Sequence, residues 1–253
     1  MLPAERLGKI MKVIREKGSA DVNTLSELLS VSGATIRRDF EELEKQNLIQ
    51  RTHGGAVISA STGFQPSYLN RIGEHREEKE RIGAVAAELI PESGTIFIES
   101  STTMLHALKK IGRTDGLTVV TNSLHVAIEL IDHQGVNVVV TGGEFSRQSA
   151  GLIGPFAHKV LSGIQVDRAF AGISSIDVSY GMTTALTADA EVKKSIFRCS
   201  KEIVGVADSS KFGRRAFAMV APVNVLDKLI TDKGASQKDI DKLKEDGVEV
   251  ILC

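Results

Sequence analysis

The chain has 253 residues, of which 42% are hydrophobic and 25% are charged, and its formal net charge is −1. This composition is typical of a globular protein and excludes a disordered or collagen-like chain. Residues 1–57 carry nine Lys and Arg against eight Asp and Glu, so overall charge gives no sign of a nucleic-acid partner. Such a partner has to be argued from where individual charges lie.

The cysteines, the histidines and the N-terminus set the expected compartment. Cys199 and Cys253 lie far apart and form no CxxC pair, which favours reduced thiols in a cytoplasmic protein. The six histidines show no metal-ligand spacing, so we expect neither a metal nor a cofactor. We find no signal-peptide core and no apolar run near the roughly 18 residues of a membrane span, so no membrane partner is expected.

Two helices are predicted first along the chain. The first has apolar residues at helical spacing and ends at Gly18, which suits a cap. The second, in "ADVNTLSELLSV", can be capped by Asn23 or Thr24. The inward residues predicted for these helices are Leu7, Ile10, Met11 and Ile14, then Leu25, Leu28 and Leu29.

A third helix follows the turn "VSG". Ile36, Phe40 and Leu43 lie at i, i+4 and i+7, which places them on one inward stripe. The next segment, "LIQRTHGGAVI", has β character interrupted by two glycines and predicts a hairpin. Three helices and a hairpin predict a winged helix-turn-helix over residues 1–57.

The outward residues of the third helix suit DNA. In a helix-turn-helix the second helix of the pair enters the major groove, where an arginine can bind guanine through two hydrogen bonds. Small residues at its start allow close approach, and hydroxyls with free N–H groups there suit phosphates. The candidate DNA-binding residues, including two on the wing, are Ser32, Gly33, Ala34, Thr35, Arg37, Arg38, Arg51 and His53. In the alternative interpretation, Arg37 and Arg38 merely pair with Glu41 and Glu42 on a solvated helix.

The wider spacing of this segment resembles a known family. The pattern R-x3-I-x3-I-x17-S-x2-T-I-R-R-D-F begins at Arg6, and "LIQRTHGGA" closes it. Over residues 5–57 it resembles the N-terminal domain of the DeoR family of bacterial transcription regulators. The resemblance implies a winged helix-turn-helix that binds operator DNA, and it favours DNA as the target of the two arginines.

The remainder of the chain predicts an α/β domain. Residues 58–76 are polar with Gly and Pro and indicate a linker, and a helix is expected from about Glu77 to Ile90. Apolar strands alternating with helices then predict a parallel sheet covered on both faces, over residues 77–253. The expected strands are 95–99, 117–121, 136–143, 167–173, 202–208, 228–231 and 248–252.

Small polar residues follow several of these strands. Ligands of open α/β sheets bind beyond the carboxyl ends of the strands, where hydroxyls, glycines and a lysine suit a phosphate. The loops concerned hold Ser100, Ser101, Thr102 and Thr103; Thr121, Asn122 and Ser123; Gly142 and Gly143; and Asp208, Ser209, Ser210 and Lys211. The alternative is ordinary helix capping, a turn or a surface loop.

These loops also match the effector-binding domain of the DeoR family. That domain resembles ribose-5-phosphate isomerase in fold and senses phosphorylated sugars or related metabolites. The residues carried over by the resemblance are Glu99, Ser101, Thr102 and Thr103, then Thr121, Asn122, Ser123, Gly142, Gly143, Asp167 and Lys211, with a weaker match at Glu191 and Lys193. The chain departs from the family in two places, since Glu99 stands where Asp is usual and Ser101 replaces a Gly.

Together these observations predict a repressor of a sugar-utilisation operon that a phosphorylated sugar releases from its operator. One winged helix reads only a few base pairs, so a homodimer or homotetramer is expected. The alternative is an isomerase-like enzyme fused to a DNA-binding domain, for which Asp167, Glu191 and Lys211 would supply acid–base groups. The fused DNA-binding domain favours sensing over catalysis.

Overall fold

A computed structural model of the chain describes residues 2–17, 19–45, 48–52, 54–58 and 68–253. It divides into two compact units, Met1–Phe64 and Gln65–Cys253. No helix among the described residues is long and apolar enough to cross a membrane.

The first unit holds three helices and a small antiparallel sheet. Its elements are α1 (Pro3–Lys17), β1 (Ser19–Asp21), α2 (Val22–Leu29), α3 (Gly33–Lys45), β2 (Ile49–Thr52) and β3 (Gly55–Ile58). The three helices and the β2–β3 hairpin confirm the predicted winged helix-turn-helix. The strand β1 pairs with β3 and was not predicted, because three residues are too few to show a periodic pattern.

The second helix differs from the prediction at its start. Asp21 caps it, accepting hydrogen bonds from the Thr24 backbone N–H at 2.9 Å and the Thr24 hydroxyl at 2.6 Å. The predicted caps Asn23 and Thr24 are therefore wrong. The buried residues of this helix are Val22, Leu25 and Leu29, whereas Leu28, which was predicted to face inward, is 61% exposed. Gly18, the expected cap of the first helix, lies outside the described residues.

The second unit is built on a seven-stranded parallel sheet in the order β15-β14-β12-β9-β4-β5-β6. The strands of the sheet are β4 (Gly94–Ile98), β5 (Leu117–Thr121), β6 (Val136–Val140), β9 (Val166–Gly172), β12 (Ser200–Val206), β14 (Lys228–Thr231) and β15 (Glu249–Leu252). All seven predicted strands are present. The chain runs outward from β4 to β6 and returns at β9, so the order reverses between β4 and β9.

Helices and short strands complete the second unit. The helices are α4 (Tyr68–Gly73), α5 (Arg76–Glu88), α6 (Met104–Leu108), α7 (Leu124–Glu129), α8 (Pro155–Leu161), α9 (Thr187–Arg198) and α10 (Gln237–Glu245). The short strands are β7 (Glu144–Ser146), β8 (Gly151–Ile153), β10 (Ser175–Asp177), β11 (Gly181–Thr184) and β13 (Ala218–Ala221). The helix α4 lies in the segment predicted as a linker.

Alternating side chains of each strand fill two apolar layers. Ile96 and Ile98 point to the layer formed with α5, α6 and α7, whereas Phe97 points to the layer formed with α8 and α9. In β9, Phe170 joins the first layer and its neighbours Ala169 and Ala171 join the second. A parallel sheet buried on both faces leaves its carboxyl edge as the natural place for polar groups.

Candidate functional site

The turn between α2 and α3 fixes the start of the recognition helix. Ser30 adopts φ of 52°, which reverses the chain, and the Ser32 hydroxyl accepts a hydrogen bond from the Thr35 N–H at 3.2 Å. Ser32 and Thr35 hydroxyl oxygens are also 2.9 Å apart. Gly33 lies against α2, since a Cβ there would be 3.3 Å from Val22 Cγ1. These residues shape the helix start, and Ala34 is exposed beside them.

The sequence "RRD" separates into two exposed cations and one buried anion. Asp39 is buried and receives two hydrogen bonds from the Arg6 guanidinium, at 2.6 and 2.9 Å, which tie α1 to α3. Arg37 and Arg38 are exposed and form no ion pair within the described part of the chain. The alternative in which they pair with Glu41 and Glu42 is therefore not supported.

The wing arginine makes different contacts from those expected. Arg51 on β2 places its guanidinium 3.3 Å from Glu41, and its backbone N–H donates to Glu44 at 3.2 Å. These contacts join the wing to α3, so the Arg51 side chain is already engaged within the unit. His53, the other predicted wing residue, lies outside the described residues.

At the carboxyl edge of the sheet, Glu99 joins the two halves of the strand order. It follows β4, and its carboxylate accepts a hydrogen bond from the Gly172 N–H at the end of β9, at 2.9 Å. Lys193 of α9 forms an ion pair with Glu99 and donates to the Gly172 carbonyl at 2.6 Å. Burial raises the pKa of Glu99, and the ion pair with Lys193 opposes that rise. We call this carboxyl edge, with Glu99, Lys193 and the loops that follow the strands, the crevice.

Side chains from three loops are hydrogen-bonded to one another beside Glu99. Asn122, after β5, accepts from the Ser100 N–H at 3.1 Å, and the Ser100 hydroxyl donates to the Ser149 carbonyl at 2.8 Å. The Ser149 hydroxyl donates to one oxygen of Asp189 at 2.8 Å. The second oxygen of Asp189 is buried without a partner among the described residues, and burial raises the pKa of this group.

Several predicted hydroxyls serve the local backbone. The Ser101 hydroxyl accepts from the N–H groups of Thr103 and Met104, at 3.2 and 3.4 Å. Thr121 and Ser123 do the same for the start of α7. For these three the alternative of ordinary capping holds. Thr102 and Thr103 are buried residues, and their hydroxyls form no hydrogen bond among the described residues.

The loop after β12 carries a second charged group. Asp208 is buried and lies 3.3 Å from the Lys211 ammonium. Burial favours the neutral acid, but Lys211 and the hydrogen bond that the Ser210 hydroxyl donates outweigh it and lower the pKa of Asp208. Because this loop follows β12, Lys211 lies at the carboxyl edge of the sheet, as the sequence predicts.

Two predicted residues lie elsewhere. Asp167 is the second residue of β9 and so lies at the amino edge of the sheet, where it is exposed and pairs with Lys201 at 2.8 Å. Glu191 is exposed on α9 and pairs with Lys194, while Asp189 and Lys193, four residues apart, occupy the buried face of that helix. Neither Asp167 nor Glu191 is part of the crevice.

Gly142 and Gly143 take positive φ values of 68° and 121° after β6. A Cβ on Gly143 would lie 2.4 Å from the Ile153 carbonyl oxygen, so this glycine permits the β7–β8 ribbon to close. Gly142 has open space around it. The close packing of this turn therefore accounts for a glycine at position 143.

The structure also brings Tyr68, Arg71 and Lys79, from α4 and α5, to the crevice. The Arg71 guanidinium donates to the Gln148 carbonyl, next to the Ser149 that contacts Asp189, at 3.4 Å. Lys79 is affected electrostatically by Lys211 and Asp208. These residues were not predicted as part of the site, because two of them lie in the predicted linker and the third lies in a helix with no distinguishing pattern. Their position just before the first strand of the sheet was the one feature of the sequence that could have indicated them.

The described residues contain no group of three or more His, Cys, Asp or Glu able to hold a metal.

A helix-turn-helix with two exposed arginines on its second helix in one unit, and buried polar residues at the carboxyl edge of the sheet in the other, are typical of a DNA-binding protein with a ligand-responsive domain. Comparison with known families agrees. Residues 6–62 match the DeoR-like helix-turn-helix domain, and residues 74–233 match the DeoR C terminal sensor domain. The chain belongs to the DeoR family and is a DNA-binding transcriptional regulator.

Three relatives illustrate the similarity. The transcriptional regulator GlpR of Haloferax volcanii is 35% identical over 99% of this chain and 98% of its own length. The transcriptional repressor GlcR of Bacillus subtilis is 34% identical, covering 100% and 97%. The glycerol-3-phosphate regulon repressor of Escherichia coli K12 is 32% identical over the full length of both chains.

Solved structures resemble the chain only in part. Ribose 5 phosphate isomerase A from Neisseria gonorrhoeae aligns with a TM-score of 0.38 and 17% identity, over 54% of this chain and 53% of that one. This structural similarity is too weak to indicate a function.

Proposed function

We propose that the protein represses a sugar-utilisation operon and leaves its operator when a phosphorylated sugar binds the crevice. The relatives named as the GlcR repressor and the glycerol-3-phosphate regulon repressor support this assignment. The observation that carries it is the crevice at the strand-order reversal, where buried polar groups from several loops converge and some lack a partner. A ligand with hydroxyls and a phosphate would satisfy such groups.

On the DNA side, α3 lies in the major groove with Arg37 and Arg38 as the base-reading candidates. Ser32 and Thr35 hold the helix start, and Gly33 and Ala34 allow it close to the bases. Arg51 contributes to the backbone contacts once DNA competes with Glu41, and His53 is proposed beside it on the wing.

In the crevice, Thr102, Thr103 and Lys211 are proposed to contact the effector directly, and Asp189 is proposed to accept a sugar hydroxyl. Glu99, Ser100, Ser101, Thr121, Asn122 and Ser123 hold the loops in place. Gly142 gives the ligand access. The effector must bind the DNA-incompetent arrangement more tightly than the competent one, since a ligand shifts an equilibrium only by its differential affinity.

We further propose that the regulator works in the cytoplasm as a homo-oligomer. Two half-sites are the usual target of helix-turn-helix proteins. Ile128 lies on the outward side of α7 and Ile131 lies two residues beyond its end; they are 66% and 77% exposed and suit a contact between copies.

Catalysis is not part of the proposal. A general base for isomerisation has to be free to take a proton from the substrate. The two carboxylates named for that role, Asp167 and Glu191, lie outside the crevice and pair with lysines. The Glu99 carboxylate, which is in the crevice, is held by Lys193 and the Gly172 N–H. Conversion of a candidate sugar phosphate by the purified protein, followed by NMR, would contradict this view.

The DNA assignment is tested with an operator selected by the protein from a random pool. Replacing Arg37 and Arg38 by Ala should weaken binding at least tenfold, because one well-made arginine–guanine pair contributes about 1–3 kcal/mol. Fluorescence anisotropy measures the affinity. The matched control is Lys9→Ala with Lys45→Ala, which removes the same charge from exposed positions of this unit. An equal loss in both double variants would contradict a specific role for the two arginines.

The effector is tested on the same DNA complex with phosphorylated sugars and their unphosphorylated parents. One phosphorylated sugar should release the protein from DNA and raise its melting temperature, and its parent should do neither. At about 100 times its Kd a ligand adds roughly 2.7 kcal/mol of stability. If no phosphorylated sugar acts in either assay, the effector assignment is wrong.

A further inference from the structure

Two cations border the crevice without a carboxylate partner. Lys79 is only 2% exposed, and its ammonium donates to the backbone carbonyl of Arg71. The half-buried Arg71 reaches a backbone carbonyl through one terminal nitrogen, and its Nε is buried without a partner. Within the described part of the chain, neither cation forms an ion pair. Burying a charge without a counterion is unfavourable, so these cations call for an anion.

The other two cations of the crevice are already paired. Lys193 is held by Glu99, and Lys211 lies against Asp208. Glu99 and Asp189 influence Arg71 only from beyond contact distance. Unlike Lys193 and Lys211, Arg71 and Lys79 can therefore still pair with an anion.

The surroundings of Arg71 also fit a ligand site. Its guanidinium lies 5.6 Å from the centre of the Tyr68 ring, and Tyr68 in turn stacks on His125 with the two ring centres 4.9 Å apart. The Tyr68 hydroxyl is buried without a partner among the described residues. An aromatic platform limits the positions of the guanidinium, which reduces the entropy lost when it binds an anion.

We propose that Arg71 and Lys79 form an anion site that takes the phosphate group of the effector, with the Tyr68 hydroxyl as an additional donor. This inference rests on the proposed function and adds the residues that hold the phosphate. The planar guanidinium offers two parallel N–H groups to phosphate oxygens, and the ammonium acts as a point charge beside it.

The pKa values agree with this assignment. Burial has the largest effect on the pKa of both groups. It lowers the pKa of Arg71, and the pKa of Lys79 falls to about 8. For Lys79, Lys211 and Arg71 act in the same direction, while Asp208 and Glu74 oppose it. A bound phosphate supplies the missing negative charge and favours the protonated forms of both groups.

The test measures binding of inorganic phosphate to the full chain at pH 7 and constant ionic strength, by equilibrium dialysis. The wild-type chain should bind one phosphate saturably. Arg71→Met and Lys79→Met should each weaken binding at least tenfold. Arg71→Lys should lie between, because it keeps the charge and loses the paired N–H groups. The control Lys201→Met removes one charge at the amino edge of the sheet and should bind as the wild type does.

Cooperative urea unfolding of each variant, followed by the tyrosine fluorescence of the second unit, shows that this unit is folded. Absence of phosphate binding by the wild type, or equal binding by all variants, would overturn the anion site. If a sugar phosphate released Arg71→Met from DNA as readily as the wild type, the anion site would be wrong and the proposed function would stand. If phosphate bound through Arg71 but no sugar phosphate affected DNA binding, the site would stand and the proposed function would fail.

Discussion

Without a ligand, the buried ammonium of Lys79 should destabilise the second unit at neutral pH. Its pKa falls from 10.5 to about 8 on folding. At about 1.36 kcal/mol for each pKa unit, this lowering corresponds to roughly 3 kcal/mol of destabilisation at pH 7. Lys79→Met removes that cost but leaves the Arg71 carbonyl unpaired, which costs about 1–3 kcal/mol. We therefore expect the variant to be more stable than the wild type by up to about 2 kcal/mol.

The sign of the pH dependence follows from proton binding. Between pH 8 and 10.5 the unfolded chain holds the Lys79 proton more tightly than the folded chain, so this group's contribution to stability rises with pH across that window. The advantage of Lys79→Met should therefore shrink by about 1 kcal/mol between pH 7 and pH 9.

Urea unfolding in phosphate-free buffer measures both effects. The chain has no Trp, and both of its tyrosines, Tyr68 and Tyr180, lie in the second unit, so tyrosine fluorescence reports on that unit alone. Lys201→Met, at an exposed ion pair, is the control and should show neither effect. A Lys79→Met variant that is less stable than the wild type at pH 7, or whose difference is the same at both pH values, would refute the reasoning.

Two further predictions concern packing and assembly. Gly172→Ala should cost about 1–3 kcal/mol, because its Cβ would lie 2.7 Å from the Ser101 hydroxyl oxygen. Adding Ser101→Gly should recover part of the loss in urea unfolding, and no recovery would exclude this clash as the cause. Ile131→Glu should reduce the mass measured by light scattering from oligomer to monomer, because a charge replaces an exposed apolar contact. An unchanged mass would place the contact elsewhere.

The central strands were predictable because their Val- and Ile-rich runs are bounded by turn residues. The same applies to the inward stripe of α3, where Ile36, Phe40 and Leu43 are all buried. The short strands β7, β8, β10, β11 and β13 were not predicted, because three or four residues leave no room for a period. Their pairing is set by tertiary contacts that one sequence does not reveal.

The polar residues of the candidate site were only partly predictable from the sequence. Asp167 belongs to the strand that brings Gly172 to Glu99, but five residues of extended chain, about 16 Å, separate it from that end. The family pattern identified the strand and could not tell which of its ends meets the ligand. In the sequence, Arg71 lies in a predicted linker and Lys79 resembles an ordinary surface residue of a helix, and only burial without a counterion distinguishes them.

The adjacency of β4 and β9 also has a consequence for how the chain folds during synthesis. Thr95 and Asp167, which are hydrogen-bonded between these strands, are separated by 72 positions in the sequence. The half-sheet of β4, β5 and β6 therefore leaves the ribosome with β4 as an unpaired edge, and its polar backbone stays open until β9 has been made. Such distant pairing slows folding and exposes apolar surface meanwhile, so the newly made protein should depend on chaperones more than its final stability would suggest.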